Sequence, residues 1–195
     1  MRKKLRLRKN PPQENQNELR IPTRKPPQRT ALLVIDVQQA MFTKSAPVYQ
    51  SEMLLANILS LASKAREAGA PVVWVQHSDA RDLIPGTPGW QLHPDLIPEA
   101  QDLKLMKEKG NAFENTKLKQ LLAERGVGSV VICGMVTHGC VKNTCLGALA
   151  EGYQVTLAGD AHSSYSKDAA ALIEKWNAAL AEAGVRVVKS AAISF

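Results

Sequence analysis

Three residues in this chain combine a reactive side-chain type with a position where an α/β fold would expose it. Asp36 closes the apolar run Ala31-Leu32-Leu33-Val34-Ile35. A carboxylate at such a strand end can act as a general base, or it can merely cap a turn. Cys140 lies in Gly134-Met135-Val136-Thr137-His138-Gly139-Cys140-Val141, which joins another apolar run to a helical stretch. In the first turn of a helix, free N–H groups and the helix dipole favour a thiolate and can hold an oxyanion, so this position suits a nucleophile. Cys133 and Cys145 read instead as small buried hydrophobes, the ordinary role of a free cysteine. The three cysteines lack metal-ligand spacing, and Cys140 and Cys145 would lie roughly 140° apart on a helix. Lys107 follows the alternating Leu103-Lys104-Leu105-Met106. Spacing alone does not separate it from Lys104 or Lys109, and a lysine in a charged stretch is ordinarily just solvated.

The elements that must position these groups are readable from hydrophobic runs. Residues 31–35, 71–76 and 129–134 are continuous apolar stretches, as expected of strands covered on both faces. Shorter strands are expected at 104–106, 155–158 and 185–188. Helices are expected over 51–68, 117–125, 139–151 and 168–183, with Gly69, Gly126, Gly152 and Gly184 just past their ends. Residues 78–101, rich in Pro, Gly and Asp, read as a long loop of the kind that usually serves function. Strands alternating with helices predict a three-layer α/β/α sandwich, Rossmann-like, with a mainly parallel sheet of five or six strands. Ligands in such folds bind beyond the carboxyl ends of the strands, where Asp36, Lys107 and Cys140 all fall.

The chain has 195 residues, 45% of them hydrophobic and 22% charged, which fits one domain and excludes collagen-like, disulfide-framework and wholly disordered classes. No apolar run reaches the ~18 residues of a membrane helix, so no membrane partner is expected. The first ten residues carry charge where a signal peptide would have an apolar core, which makes a cytoplasmic location the expectation. The net charge of +7 is uneven. Residues 1–30 hold ten basic and two acidic side chains, while the remaining 165 hold 15 basic and 16 acidic. Residues 1–29 also contain five of the eleven prolines and are read as an extended arm ahead of a domain at 30–195. The arm could be a solvated tail, could pack on a neighbouring subunit, or could bind nucleic acid. Its lack of aromatic residues weighs against the last.

Val34-Ile35-Asp36-Val37-Gln38, then Asp102-Leu103-Lys104-Leu105-Met106-Lys107 with Asn111-Ala112-Phe113 and Thr116, then Gly134 to Val141 occur in the order and spacing of a known set of signatures. Together they resemble the isochorismatase-like cysteine hydrolase superfamily over about residues 30–190. The resemblance selects Lys107 among the lysines, because it lies four residues before a position usually held by Ser and here by Asn111. It implies a catalytic triad of Asp36, Lys107 and Cys140, with the N–H groups of Thr137 and Cys140 receiving an oxyanion. It also implies a cis peptide between Val136 and Thr137. The implied activity is hydrolysis of a C–N bond in a small amide, ureide or imide through a thioester, by a homo-oligomer (dimer or tetramer) that needs no cofactor.

Two alternatives carry other chemistry. Members that cleave a vinyl ether need not keep the cysteine, so the presence of Cys140 favours C–N hydrolysis. A binding protein that uses its basic arm on nucleic acid would treat the domain as a scaffold. Nicotinamidase-like members resemble one another in an Asp-x-His…His metal site after the second strand. This chain has His77-Ser78-Asp79 there, in the wrong order, with His93 far downstream, so no metal is expected and His77 reads as a hydrogen-bonded strand-end residue. Gln38, Phe42, Trp90, Asn111 and His138 are candidate pocket walls, each with ordinary packing or exposure as the alternative. His162 and Ser163 are weaker candidates for the pocket's other side.

Overall fold

The computed structural model describes residues 29–195. The expected arm at 1–29, apart from Arg29, lies outside the described residues. Six strands form the sheet: β1 (Arg29–Ile35), β2 (Val72–His77), β3 (Leu103–Lys107), β4 (Val127–Met135), β5 (Gln154–Ser163) and β6 (Arg186–Val188). Among the described residues five α-helices accompany them: α1 (Gln39–Phe42), α2 (Ser51–Glu67), α3 (Leu118–Ala123), α4 (Lys142–Ala150) and α5 (Ala169–Glu182). Every strand pair is parallel, in the order β3-β2-β1-β4-β5-β6. The sheet is therefore the six-stranded case of the expected sandwich, with α1 as an additional short helix.

The apolar runs bury both sheet faces because alternate side chains point to opposite sides. Ala31, Leu33 and Ile35 of β1 join a core with Leu118 and Leu122 of α3, Val141, Cys145 and Ala148 at α4, and Leu180 of α5. Leu32 and Val34 point the other way, onto Leu54, Ile58, Leu61 and Ala65 of α2. Those α2 positions follow the i, i+4, i+7 spacing of one helical face. Cys133 and Cys145 have no exposure and sit in these cores, as their apolar surroundings in the sequence suggested.

This strand order reverses direction between β1 and β4, and such a switch point opens a crevice at the carboxyl ends of the two strands. Gly134 lets β1 and β4 approach there. It has φ 113°, and a Cβ on it would fall 2.1 Å from the carbonyl oxygen of Ile35, so only glycine fits. On the other side of β4 the register slips. Ile132 pairs with Leu157 but Gly134 pairs with His162, so β5 uses five residues where β4 uses two. That bulge carries β5 past its expected end at Ala158 and brings His162 and Ser163 level with Gly134 and Met135.

The long loop has little regular structure beyond one 3₁₀ turn at Pro88–Trp90 and an isolated bridge from Leu92 to Gln38. Polar anchors hold it. Asp79 accepts the N–H groups of Arg81, Asp82 and Leu83. Asp102 accepts from the indole of Trp74 at 2.8 Å, from the Arg66 guanidinium and from the Glu99 N–H.

Candidate active site

Four adjacent strands, β3, β2, β1 and β4, each lead to one group at the crevice. Asp36 follows β1, His77 ends β2, Lys107 ends β3, and β4 leads into the turn that carries Cys140. Lys107 Nζ lies 2.6 Å from Asp36 Oδ2, 3.1 Å from the Lys109 carbonyl oxygen and 3.2 Å from His77 Nδ1. An ammonium has three N–H donors and here has three acceptors in reach, so its position and orientation are both fixed. Accepting at Nδ1 places the His77 proton on Nε2. The β2–β3 register pairs His77 directly with Lys107, which explains why the two side chains meet.

Asp36 has no exposure and a backbone φ of 51°, which turns its side chain out of the strand. Its Oδ1 is the one buried side-chain polar atom among the described residues without a hydrogen-bond partner. One oxygen of this carboxylate, a ring nitrogen of His77 and the sulfur of half-buried Cys140 lie within 4.8 Å of one another.

Electrostatics in this cluster are set by competition between burial and the Lys107 charge. Burial pushes the Asp36 carboxyl above its ordinary 3.8, against the pull of Lys107 in the other direction. The Cys140 thiol is pushed up to about 12, first by burial and then by the Asp36 charge, with Lys107 opposing. Burial, followed by the Lys107 charge, lowers His77 below its usual value and keeps the imidazole neutral. The resting arrangement therefore has a neutral thiol beside the buried Asp36–Lys107 pair. A carboxyl oxygen of Asp36 lies within 4.8 Å of that sulfur and Oδ1 has no hydrogen-bond partner, so ionised Asp36 is placed to accept the thiol proton.

Cys140 sits in a kinked turn, Thr137–Val141, ahead of α4 and not within a continuous helix from Gly139 as the sequence suggested. Gly139 breaks the helical path with φ −113° and ψ −110°. The Val136 carbonyl accepts from the N–H groups of Gly139 at 2.9 Å and Val141 at 3.3 Å, which folds the turn back on the strand exit. The cis peptide lies between Met135 and Val136, one bond earlier than the Val136–Thr137 position expected. β4 ends at Met135 and Thr137 already begins the turn, so the chain leaves the strand at Val136.

Two expected pocket walls are structural instead. Gln38 is fully buried: its Nε2 amide N–H groups donate to the carbonyls of His77 and Trp90, while Oε1 accepts the His77 N–H. It fastens the long loop to β2. Asn111 turns onto α4, where its amide lies against Gly147 and accepts the Phe113 N–H at 3.0 Å. Half-buried Phe42 packs against His93 in a tilted arrangement at a centroid distance of 4.5 Å, and half-buried Trp90 donates its indole N–H to Ser78. His138 is exposed at the turn. His162 is buried, its Nδ1 2.9 Å from the Thr137 hydroxyl. The Ser163 hydroxyl donates to the Tyr49 carbonyl, so it ties β5 to the segment before α2.

Asp36, His77 and Cys140 are also the kinds of donor that hold a cation. The Lys107 ammonium is already hydrogen-bonded to both Asp36 and His77, and this charge stands where a metal would compete for them. Asp79, the acidic residue nearest His77 in sequence, is occupied by its own loop turn, and these backbone N–H bonds draw it down to about 2.

Comparison with known proteins agrees with this architecture. Residues 30–191 match the model of the Isochorismatase domain. A streptothricin hydrolase of Streptomyces noursei is 37% identical over 142 residues, covering 72% of this chain and 56% of that protein. This chain thus spans little more than half the length of that relative. A maleamate amidohydrolase of Pseudomonas putida is 30% identical over 158 residues, covering 69% of this chain and 74% of the relative. The crystal structure of an isochorismatase from Pseudomonas putida superposes with a TM-score of 0.78 at 29% identity, covering 85% of this chain and 90% of that one.

Proposed function

The chain belongs to the isochorismatase family of hydrolases, and from that premise we propose that it cleaves a C–N bond of a small amide, ureide or imide with Cys140 as nucleophile. The observation that carries this reading is the convergence of Asp36, Lys107 and Cys140 at the switch point, with the Asp36–Lys107 contact at 2.6 Å. In the reaction, Asp36 removes the thiol proton as Sγ attacks the carbonyl carbon. The N–H groups of Thr137 and Cys140 receive the oxyanion, and Lys107 keeps Asp36 ionised in its buried site. Asp36 then returns the proton to the departing nitrogen, leaving a thioester on Cys140. Water, deprotonated by Asp36, attacks the thioester, releases the acid and restores the thiol.

The relatives' names support the substrate class: one is a streptothricin hydrolase and another an amidohydrolase of maleamate. Phe42, Trp90 and His138 remain candidate walls for the substrate. The raised thiol favours proton transfer during attack over a standing thiolate.

Turnover of a panel of small amides, ureides and lactams, with Cys140→Ala as control, tests the proposal. Loss of turnover in Cys140→Ala is expected. Hydrolysis of isochorismate that survives Cys140→Ala would replace the C–N reading with vinyl ether cleavage. Alkylation at near-neutral pH gives a second readout. Half-buried Cys140 should react before the fully buried Cys133 and Cys145, and Asp36→Asn should slow that reaction. Equal labelling of all three cysteines only after denaturation would argue against an activated thiol.

A further inference from the structure

Behind the Cys140 turn runs a chain of hydrogen bonds, from buried Thr137 and His162 to half-buried Asn177, that the reaction scheme above does not use. The Thr137 hydroxyl lies 2.9 Å from His162 Nδ1, and His162 Nε2 lies 2.9 Å from Asn177 Oδ1. Asn177 Nδ2 donates to the Gly159 carbonyl at 3.0 Å. That last bond sets the direction of all the others. A carbonyl only accepts, so the amide nitrogen of Asn177 must face it and Oδ1 must face His162. The His162 proton is then on Nε2, Nδ1 is bare, and the Thr137 hydroxyl donates to it. Burial lowers His162 below its ordinary value, which keeps Nδ1 unprotonated.

The backbone is built to make this chain. The β5 bulge brings His162 beside Gly134, three residues before the turn. Gly159 leaves room for Asn177: a Cβ there would fall 3.3 Å from Asn177 Nδ2 and 2.9 Å from a Val187 methyl. A cavity of about 350 Å³, bounded in part by Met53, Gly159, His162, Ile173 and Asn177, flanks the chain. Side chains do not close in on that flank, so hydrogen bonds, more than tight packing, fix its position.

We infer that His162 and Asn177 are positioning residues, which hold the Thr137–Val141 turn through the Thr137 hydroxyl and so fix Cys140 against Asp36. The inference rests on the reading of Cys140 as nucleophile. Misplacing a reacting group by about 1 Å can cost on the order of 100-fold in rate, which is the scale such a device would protect.

The test compares Thr137→Val, Thr137→Ser, Asn177→Leu and the double variant Thr137→Val/Asn177→Leu, assayed on a turned-over amide well below each variant's thermal midpoint. Thr137→Val and Asn177→Leu are expected to lower kcat about 10- to 100-fold with little change in KM. Thr137→Ser, which keeps the hydroxyl, should restore most of it. The double variant should be no worse than the weaker single one, because both break the same chain. Wild-type kcat in Thr137→Val, or multiplicative losses in the double variant, would overturn the inference. Cys140→Ala, run on the same substrate, keeps the two readings apart. Inactive Cys140→Ala beside fully active Thr137→Val defeats the positioning role alone, whereas active Cys140→Ala defeats the nucleophile itself.

Discussion

Lys107 Nζ and Asp36 Oδ2 are 2.6 Å apart, and neither side chain has any exposed surface. A buried pair of this kind is held by mutual dependence: attraction offsets desolvation only while both charges are present. Replacing one partner alone leaves the other charge uncompensated, at a cost of roughly 3–5 kcal/mol. Lys107→Met strands the Asp36 carboxylate in this way, whereas Asp36→Asn leaves position 36 neutral, the state that burial already favours there. The double variant Asp36→Asn/Lys107→Met removes both charges and is expected to recover most of the stability lost in Lys107→Met while remaining inactive. Chemical denaturation of the two singles and the double checks this. Additive losses in the double would mean that the pair does not share one energetic role.

The same pair sets opposite pH dependences for activity and stability. Asp36 binds its proton more tightly in the folded protein than its ordinary 3.8. Its favourable contribution to stability is therefore complete below that value and is lost as pH rises through the raised folded value. The proposed mechanism needs the ionised form, so kcat/KM should climb over the interval in which this stability is lost. The thermal midpoint of the wild type, measured relative to Asp36→Asn, should fall from about pH 4 towards neutrality. A difference that stays flat across that interval would show an unshifted carboxylate. Lys107→Met should carry the acid limb of any residual activity to higher pH, because the cation that opposes burial is gone.

What could be read from the sequence divides by how local its cause is. Asp36 ends an apolar run and Cys140 follows one, so both were visible from hydrophobic pattern alone. Lys107 required a family resemblance, since Lys104 and Lys109 are equally charged and only the fold, which sets Lys107 opposite His77 on β2, lets its ammonium reach Asp36. Nothing in the sequence near His77 announces Lys107 as its partner. The contact follows from the β2–β3 register, a relation across 30 positions. Gln38 and Asn111 were expected in the pocket because they sit near reactive residues. Their amides instead match passing backbone groups, which rewards burial over exposure. The β5 bulge was hidden for a similar reason: a run ending near Ala158 gives no sign that the strand resumes at His162.

His77 separates a hydrogen-bonding role from a metal-binding one. Its Nδ1 accepts from Lys107 Nζ at 3.2 Å, and its neutral state is enforced by burial and by that neighbouring charge. Removing the acceptor frees one ammonium N–H in a buried site and lets Lys107 drift from Asp36. His77→Ala is expected to lower kcat/KM by about tenfold, the equivalent of one lost charge-assisted hydrogen bond of roughly 1.5 kcal/mol. His77→Asn offers an amide oxygen near the former Nδ1 and should restore part of the loss. If His77 were a metal ligand instead, dialysis against a chelator would inactivate the wild type and added zinc would revive it. With the Lys107 ammonium bonded to both His77 and Asp36, chelation should leave wild-type activity unchanged. A chelator-sensitive enzyme would require Lys107 to vacate its present position, and that displacement would undo the ion pair on which the proposed proton transfer depends.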